Sequence, residues 1–250
     1  MTKQLLFMGL LLWCAGSFAY SDTVTIATGE FPPWTGADLP NGGYVNHLVE
    51  AAFNAVDIEV EFVYMPWARA FRETVQGNFH ATTYWYDSPE RRELMHYSEP
   101  LVINRTVFFQ RQSAEPIEWE HMDDLAGLRV AATIGYTYTP DFHYAINSRN
   151  MAGTLVSSEL QGMSMLASGR VDLFASDQLT GLHLADNLDI DRNELRIVEP
   201  PLIEVEGYML APRTREDSAS LMVAFHQGLK RLRHSGALDV ILGDMYDVYD

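Results

Sequence analysis

The chain is almost without cysteine. Its single one, Cys14, lies inside an N-terminal apolar run, Leu5 to Ala15, that follows Lys3 and leads to Ser17-Phe18-Ala19. A positive start, a short apolar stretch and a small-x-small site read as a cleavable secretory leader, and the run is too short for a convincing membrane span. Trp13 precedes Cys14 where a lipoprotein signal wants a small residue, so the expectation is cleavage after Ala19, without lipid attachment. The remainder then carries no thiol and leaves the cytoplasm with no disulfide to form. That fits a bacterial periplasm better than a small disulfide-stapled scaffold.

Other absences narrow the function. The eight histidines are scattered, with no His-x-x-x-His or paired-cysteine spacing, so no metal site is expected. There is no Gly-x-Ser-x-Gly, P-loop or dinucleotide fingerprint, and neither a cofactor nor a catalytic residue is expected. Positive charge is scarce: 17 Lys and Arg stand against 34 Asp and Glu, a formal net charge of −17. Nucleic acid binding needs a basic footprint and is an unlikely role on that ground. No later run reaches transmembrane length.

What is present is core material. At 47 % hydrophobic and 12 % aromatic over 250 residues, the chain has enough for one large domain or two small ones. Val24 to Ala27 and the strictly alternating Ile58 to Tyr64 read as strands, and Val45 to Val56 has helical spacing. Pro66 opens a helix that Gly77 closes, and Phe79 to Thr83 is the next strand. The first hundred residues thus read βαβαβ, which favours a mostly parallel sheet covered by helices. After Val102 to Gln110, a long extended run, a second α/β set begins. It has strands at 128–133, 154–156 and 171–175, with helices from about Thr139, over Glu159 to Ser168 and over Gln178 to Ala185. A short strand, Leu195 to Val198, precedes a second extended run, Ile203 to Ala211. Two helices, Arg215 to His234 and Ala237 to Met245, finish the chain, separated by Ser235-Gly236. The architecture expected is α/β with two lobes: residues 20–104 plus 207–250 form one, and residues 105–206 the other. The two extended runs cross between them, and a cleft lies where lobes meet.

One stretch, "YWYDSPERRELMHYSEPL", is locally odd. Ser88-Pro89 is a helix start, with Ser as N-cap and Pro in the first position. The first turn of a helix favours acids, yet Arg91 and Arg92 sit there. Together with "GEFPPWTG", "GGYVNHLVEAAF", "YMPWARAFRETVQGNFHA", "DDLAGLRVAATIGYT", "LASGRVDLFASD" and "AFHQGLKRLRHSGALDVIL" in order, it resembles the family 3 extracellular solute-binding proteins, the amino-acid-type periplasmic receptors of ABC importers. The resemblance covers nearly the whole exported chain. It implies the type II periplasmic-binding-protein fold, with a ligand cleft between two closing lobes.

The resemblance also proposes site residues. Arg91 falls on the arginine that clamps a ligand carboxylate; a guanidinium presents a matching fork of donors and stays charged when desolvated. The alternative is a surface ion pair with Glu90 or Glu93, the reading preferred for Arg92. Asp177 aligns with the acid that meets a ligand ammonium from the second lobe; its alternative is an N-cap of the next helix. Thr137, in "IGYTY", matches a Gly-x-Thr segment at a helix start, again with N-capping as the alternative. Phe31 aligns with an aromatic pocket wall and Trp67 with an apolar contact; either also suits an ordinary core. Arg69 reads as a structural ion pair. Tyr84-Trp85-Tyr86 is a departure, because typical members carry small hydroxyl residues there. Tyr84 and Tyr86 then line the pocket, which is reshaped around a different ligand or floored by the aromatics.

The function implied is a periplasmic binding protein for a small, amino-acid-like zwitterion, monomeric, delivering to an inner-membrane ABC permease. Two other classes stay open: an enzyme on the same scaffold, resembling the cyclohexadienyl dehydratases, and a stand-alone sensor for a signalling partner.

Overall fold

A computed structural model describes residues 23–148 and 151–246; the expected leader lies outside the described residues. The first βαβαβ set is formed by β1 (Val24–Thr28), α1 (Tyr44–Asn54), β2 (Val60–Tyr64), α2 (Trp67–Val75) and β3 (Ala81–Tyr86). The short helix α3 (Pro89–Leu94) begins as its sequence dictates: Ser88 Oγ accepts the Arg91 N–H at 3.2 Å, with Pro89 in the first turn. A three-residue strand that the sequence did not announce, β4 (Met95–Tyr97), leads to β5 (Val102–Arg111). The second set is β6 (Arg129–Thr133), α4 (Pro140–Asn147), β7 (Ala152–Val156), α5 (Glu159–Ala167), β8 (Leu173–Asp177) and α6 (Gln178–Asn187). Then come β9 (Leu195–Pro212), α7 (Ser218–Ser235) and α8 (Ala237–Tyr246). No helix among the described residues is long and apolar enough to cross a membrane.

The strands form one path in the order β2-β1-β3-β9-β5-β8-β6-β7, with β4 added on β9. Two parallel triplets, β2-β1-β3 and β8-β6-β7, flank the antiparallel pair β9–β5. These two long strands belong to both halves. The 207–212 end of β9 pairs with β3 and β4, while the 106–110 stretch of β5 pairs with β8. The two lobes of a periplasmic-binding-protein fold are thereby joined through crossing strands. The sequence pattern suggests two strands here, Leu195–Val198 and Ile203–Ala211; the structure joins them in one, β9. Its partners jump from Ile203↔Thr106 to Val198↔Phe108, so Glu199 to Leu202 bulge out of the ladder while the strand continues on either side. Arg105 ties this bulge down, donating to Glu199 Oε1 at 2.9 Å, Glu204 Oε1 at 3.0 Å and Gln178 Oε1 at 2.9 Å.

Each half has its own core. Ile26 of β1, Leu48 and Phe53 of α1, and Phe225 and Leu229 of α7 are buried together, so the C-terminal helices return to the first lobe. In the second lobe Phe108, Val130 and Phe142 fill one face of the sheet, and Phe109, Met163 and Phe174 fill the other. Leu179, at the start of α6 in the second lobe, packs into the first lobe's core.

Candidate functional site

Open α/β sheets place ligands beyond the carboxyl ends of their parallel strands. Here every parallel strand of both triplets delivers residues to one place. Phe31 follows β1, Trp67 follows β2, and Tyr84-Trp85-Tyr86 close β3, with Arg91 just beyond. Gly135 to Tyr138 follow β6, Glu159 follows β7, and Ser176-Asp177 end β8. All of these except Glu159 line a cavity of about 240 Å³, with Thr106 of β5 at its floor. That is below the roughly 300–1,000 Å³ of drug-sized sites and suits a small ligand.

The first lobe supplies an aromatic wall with one cation in it. Phe31 stacks on Tyr84 with centroids 6.3 Å apart, and Tyr84 meets Tyr86 edge-on at 5.8 Å. Gly207 lets β9 pass beneath Tyr84: a Cβ there would lie 1.7 Å from its ring. Trp67 lies against Gly29, donates its indole N–H to the Glu30 carbonyl at 3.3 Å, and meets Trp85 edge-on at 5.4 Å. The guanidinium of Arg91 sits 5.0 Å from the Trp85 ring centroid and 5.9 Å from that of Phe71, and donates to the Tyr86 carbonyl at 2.8 Å. Among the described residues no carboxylate forms an ion pair with Arg91, so neither Glu90 nor Glu93 is its partner. Arg92 does pair, with Asp87 at 2.7 Å. Arg69 lies 4.0 Å from Glu73, one turn along α2.

The second lobe supplies hydroxyls and acids. Asp177 is buried, and three donors converge on it. Trp34 Nε1 and the Thr180 N–H reach Oδ1 at 2.8 and 3.0 Å, and Asn104 Nδ2 reaches Oδ2 at 2.9 Å. Asp177 therefore caps α6, and through Trp34 it binds the first lobe; these bonds leave it little capacity toward the cavity it borders. Burial pushes its carboxyl upward, opposed by the hydrogen bonds from Asn104, Thr180 and Trp34. Thr137 lines the cavity but starts no helix. The helix α4 begins three residues later, capped by Thr139, whose Oγ1 accepts the Phe142 N–H at 3.2 Å. Pro140 decides this, because it cannot donate and suits only the first helical turn. Thr137 is left exposed in the loop between β6 and α4.

Sequence reasoning missed Glu159, Tyr136, Tyr138 and Ser176. Glu159 Oε1 accepts the Ser176 hydroxyl at 2.8 Å and Oε2 accepts the Tyr136 hydroxyl at 2.9 Å. Burial, with the nearby Asp177 charge, pushes the Glu159 carboxyl up to about 7 against those two bonds. Burial also raises the phenols of Tyr86 and Tyr136 well above their ordinary value and that of Tyr138 to about 12, so all three are hydroxyls at neutral pH. Tyr136 meets Phe31 of the other lobe edge-on at 6.1 Å, roofing the cavity. Among the described residues no three His, Cys, Asp or Glu side chains converge as a metal site.

Two lobes joined by crossing strands, with the cleft residues at the strand ends, define a periplasmic-binding-protein architecture. The chain belongs to the bacterial extracellular solute-binding proteins, family 3, whose model matches residues 24–245. No curated protein matches it. Among solved structures it is similar to a histidine kinase sensor domain with similarity to periplasmic binding proteins (21% identity, 89% of this chain and 95% of that chain, TM-score 0.67). It is also similar to the GluR0 ligand-binding core from Nostoc punctiforme in complex with L-glutamate (18%, 90% and 99%, TM-score 0.68). A third is the amino acid ABC transporter substrate-binding protein AbpA from Streptococcus pneumoniae bound to L-arginine (17%, 91% and 96%, TM-score 0.67). At these identities the likeness establishes the fold; the ligand has to be argued from the cleft.

Proposed function

We propose that the protein is a periplasmic receptor that captures a small zwitterion of the amino-acid kind between its lobes, divided near residues 104/105 and 206/207, and presents it to an inner-membrane ABC permease. The observation that carries this is Arg91: a guanidinium without an ion-paired carboxylate among the described residues, set in an aromatic wall where strand ends of both lobes converge. A cation in such a place needs an anion before the cleft closes, because burying it alone is costly. A ligand carboxylate supplies that anion bidentately. The aromatic faces of Phe31, Trp67, Tyr84 and Tyr86 cover the ligand body, while Ser176 and Thr137 meet it from the second lobe. Asp177 closes that wall. Contacts to both walls exist together only in the closed form, so ligand shifts the population towards closure.

The test is thermal unfolding of the exported chain against the L-amino acids and small organic acids, beside Arg91→Ala. Ligand at about 100 times its Kd adds roughly 2.7 kcal/mol, a rise of roughly 5–10 °C at this size. A rise with one class that Arg91→Ala abolishes supports the reading; an undiminished rise in the variant sinks the carboxylate clamp. A second reading, presentation of the closed form to a signalling partner, draws on the likeness to a kinase sensor domain. Co-purification with a permease or with a receptor kinase separates the two.

A further inference from the structure

We propose that Glu159 is the positioning residue that makes the second wall accept a ligand ammonium, by holding the hydroxyls of Ser176 and Tyr136 as donors to itself. This rests on reading the cleft as the site of a zwitterion. A carboxylate only accepts hydrogen bonds. Ser176 and Tyr136 each own one hydroxyl proton, and both are directed to Glu159, at 2.8 and 2.9 Å. Both side chains line the cavity, and their oxygens are then left with lone pairs alone. Where Glu159 is ionised they become acceptors, with a negative charge directly behind them. Asp177, the other acid of this wall, already takes three donors on its two oxygens. Glu159 touches no ligand; it fixes which way two hydroxyls point.

The groups facing Glu159 are Asp177 from β8, Tyr86 from β3, and Tyr136 and Tyr138 from the loop after β6. The three phenols stay protonated through neutrality. Glu159, by contrast, is pushed up to about 7 by burial. Protonated, it donates a proton of its own into the trio, and its charge is gone. Acceptance of an ammonium then weakens in mildly acid solution.

The experiment compares matched probes that differ only in the amine: L-phenylalanine with 3-phenylpropionate, and L-arginine with 5-guanidinopentanoate. Affinities are measured by calorimetry at about pH 8 and about pH 5.5, either side of the Glu159 midpoint. Expected at the higher pH is a preference of at least about tenfold for the amino acid of one pair, the scale of a hydrogen bond to a charged group. That preference shrinks at the lower pH. In Glu159→Gln it collapses and no longer depends on pH; Glu159→Asp recovers part of it. Tyr136→Phe, in an exposed loop where folding is not at stake, gives an intermediate loss. A preference and pH profile unchanged in Glu159→Gln overturn the role of Glu159 and leave the receptor reading standing. Equal or better binding of the amine-free probe by the unaltered protein overturns it too, and makes the receptor one for carboxylates. If none of the four probes binds, the zwitterion reading falls and this proposal with it.

Discussion

The two walls of the cleft are built on opposite plans. The first-lobe wall is aromatic, with Arg91 stacked on Trp85 and its charge unmatched by any carboxylate among the described residues. The second-lobe wall is hydroxylic and acidic, and its charges are already spoken for: Asp177 by Trp34, Asn104 and Thr180, Glu159 by Ser176 and Tyr136. In the proposed function the unmatched charge is the one that a ligand would meet. A matched one orients its neighbours or holds the structure together. The side chain that waits and the side chains that brace are therefore distinguished by hydrogen-bond accounting, and residue type alone is a poor guide.

Several substitutions would break or sharpen that contrast. The largest effect is expected for Arg91→Ala, which should weaken the best-binding amino acid at least about 100-fold, the loss of a bidentate charge-assisted pair, read by calorimetry; unchanged unfolding in the absence of ligand would mark Arg91 as functional. Asp177→Ala should act in the opposite register. Orphaning the Trp34 indole and the first turn of α6 should cost about 3 kcal/mol in urea unfolding. Less than about 1 kcal/mol would mean that the brace is weak. Glu159 adds a pH signature. Its carboxyl is raised in the folded state, so its contribution is whole below the ordinary carboxylate value and is lost as pH rises through about 7. Stability should fall across that window by up to about 3 kcal/mol, and Glu159→Gln should flatten the curve. Smaller again, Phe31→Ala should reduce affinity by about 1 kcal/mol through lost aromatic cover. Smallest is Arg92→Ala. Its pair with Asp87 is solvent-exposed, so no resolvable change in stability or in binding is expected.

Much of the fold was legible because it is written in period and punctuation. The alternation of 58–64, Pro66 and Gly77 around α2, Ser88-Pro89 before α3 and Gly236 between α7 and α8 each act locally, and each stands in the structure. The continuity of β9 was not legible: Pro200-Pro201 looks like a break, and the strand survives because its partner shifts register to absorb the bulge. Arg91 could be singled out because an arginine in the first turn of a helix contradicts the local electrostatics. Thr137 reads as a helix start, but that start belongs to Thr139, two residues on in the same loop. Glu159 was invisible as more than a helix opener, since an acid at that position is what any helix prefers. Its role comes from Ser176, seventeen residues on, and Tyr136, twenty-three residues back, and only the parallel order of β7, β6 and β8 brings these together.

The tryptophans of the first lobe give the cleft a voice of its own. Trp34 is hydrogen-bonded to a carboxylate of the opposite lobe, and Trp67 and Trp85 form the wall on which Arg91 lies. Trp119, by contrast, is buried in the second lobe's core against Phe108. Under the proposed closure, these three indoles would change surroundings, and Trp119 would stand as an internal standard among the described tryptophans. The unlabelled protein would then act as an optical sensor of its own occupancy, with a shift in its ultraviolet emission during a titration as the readout of closure.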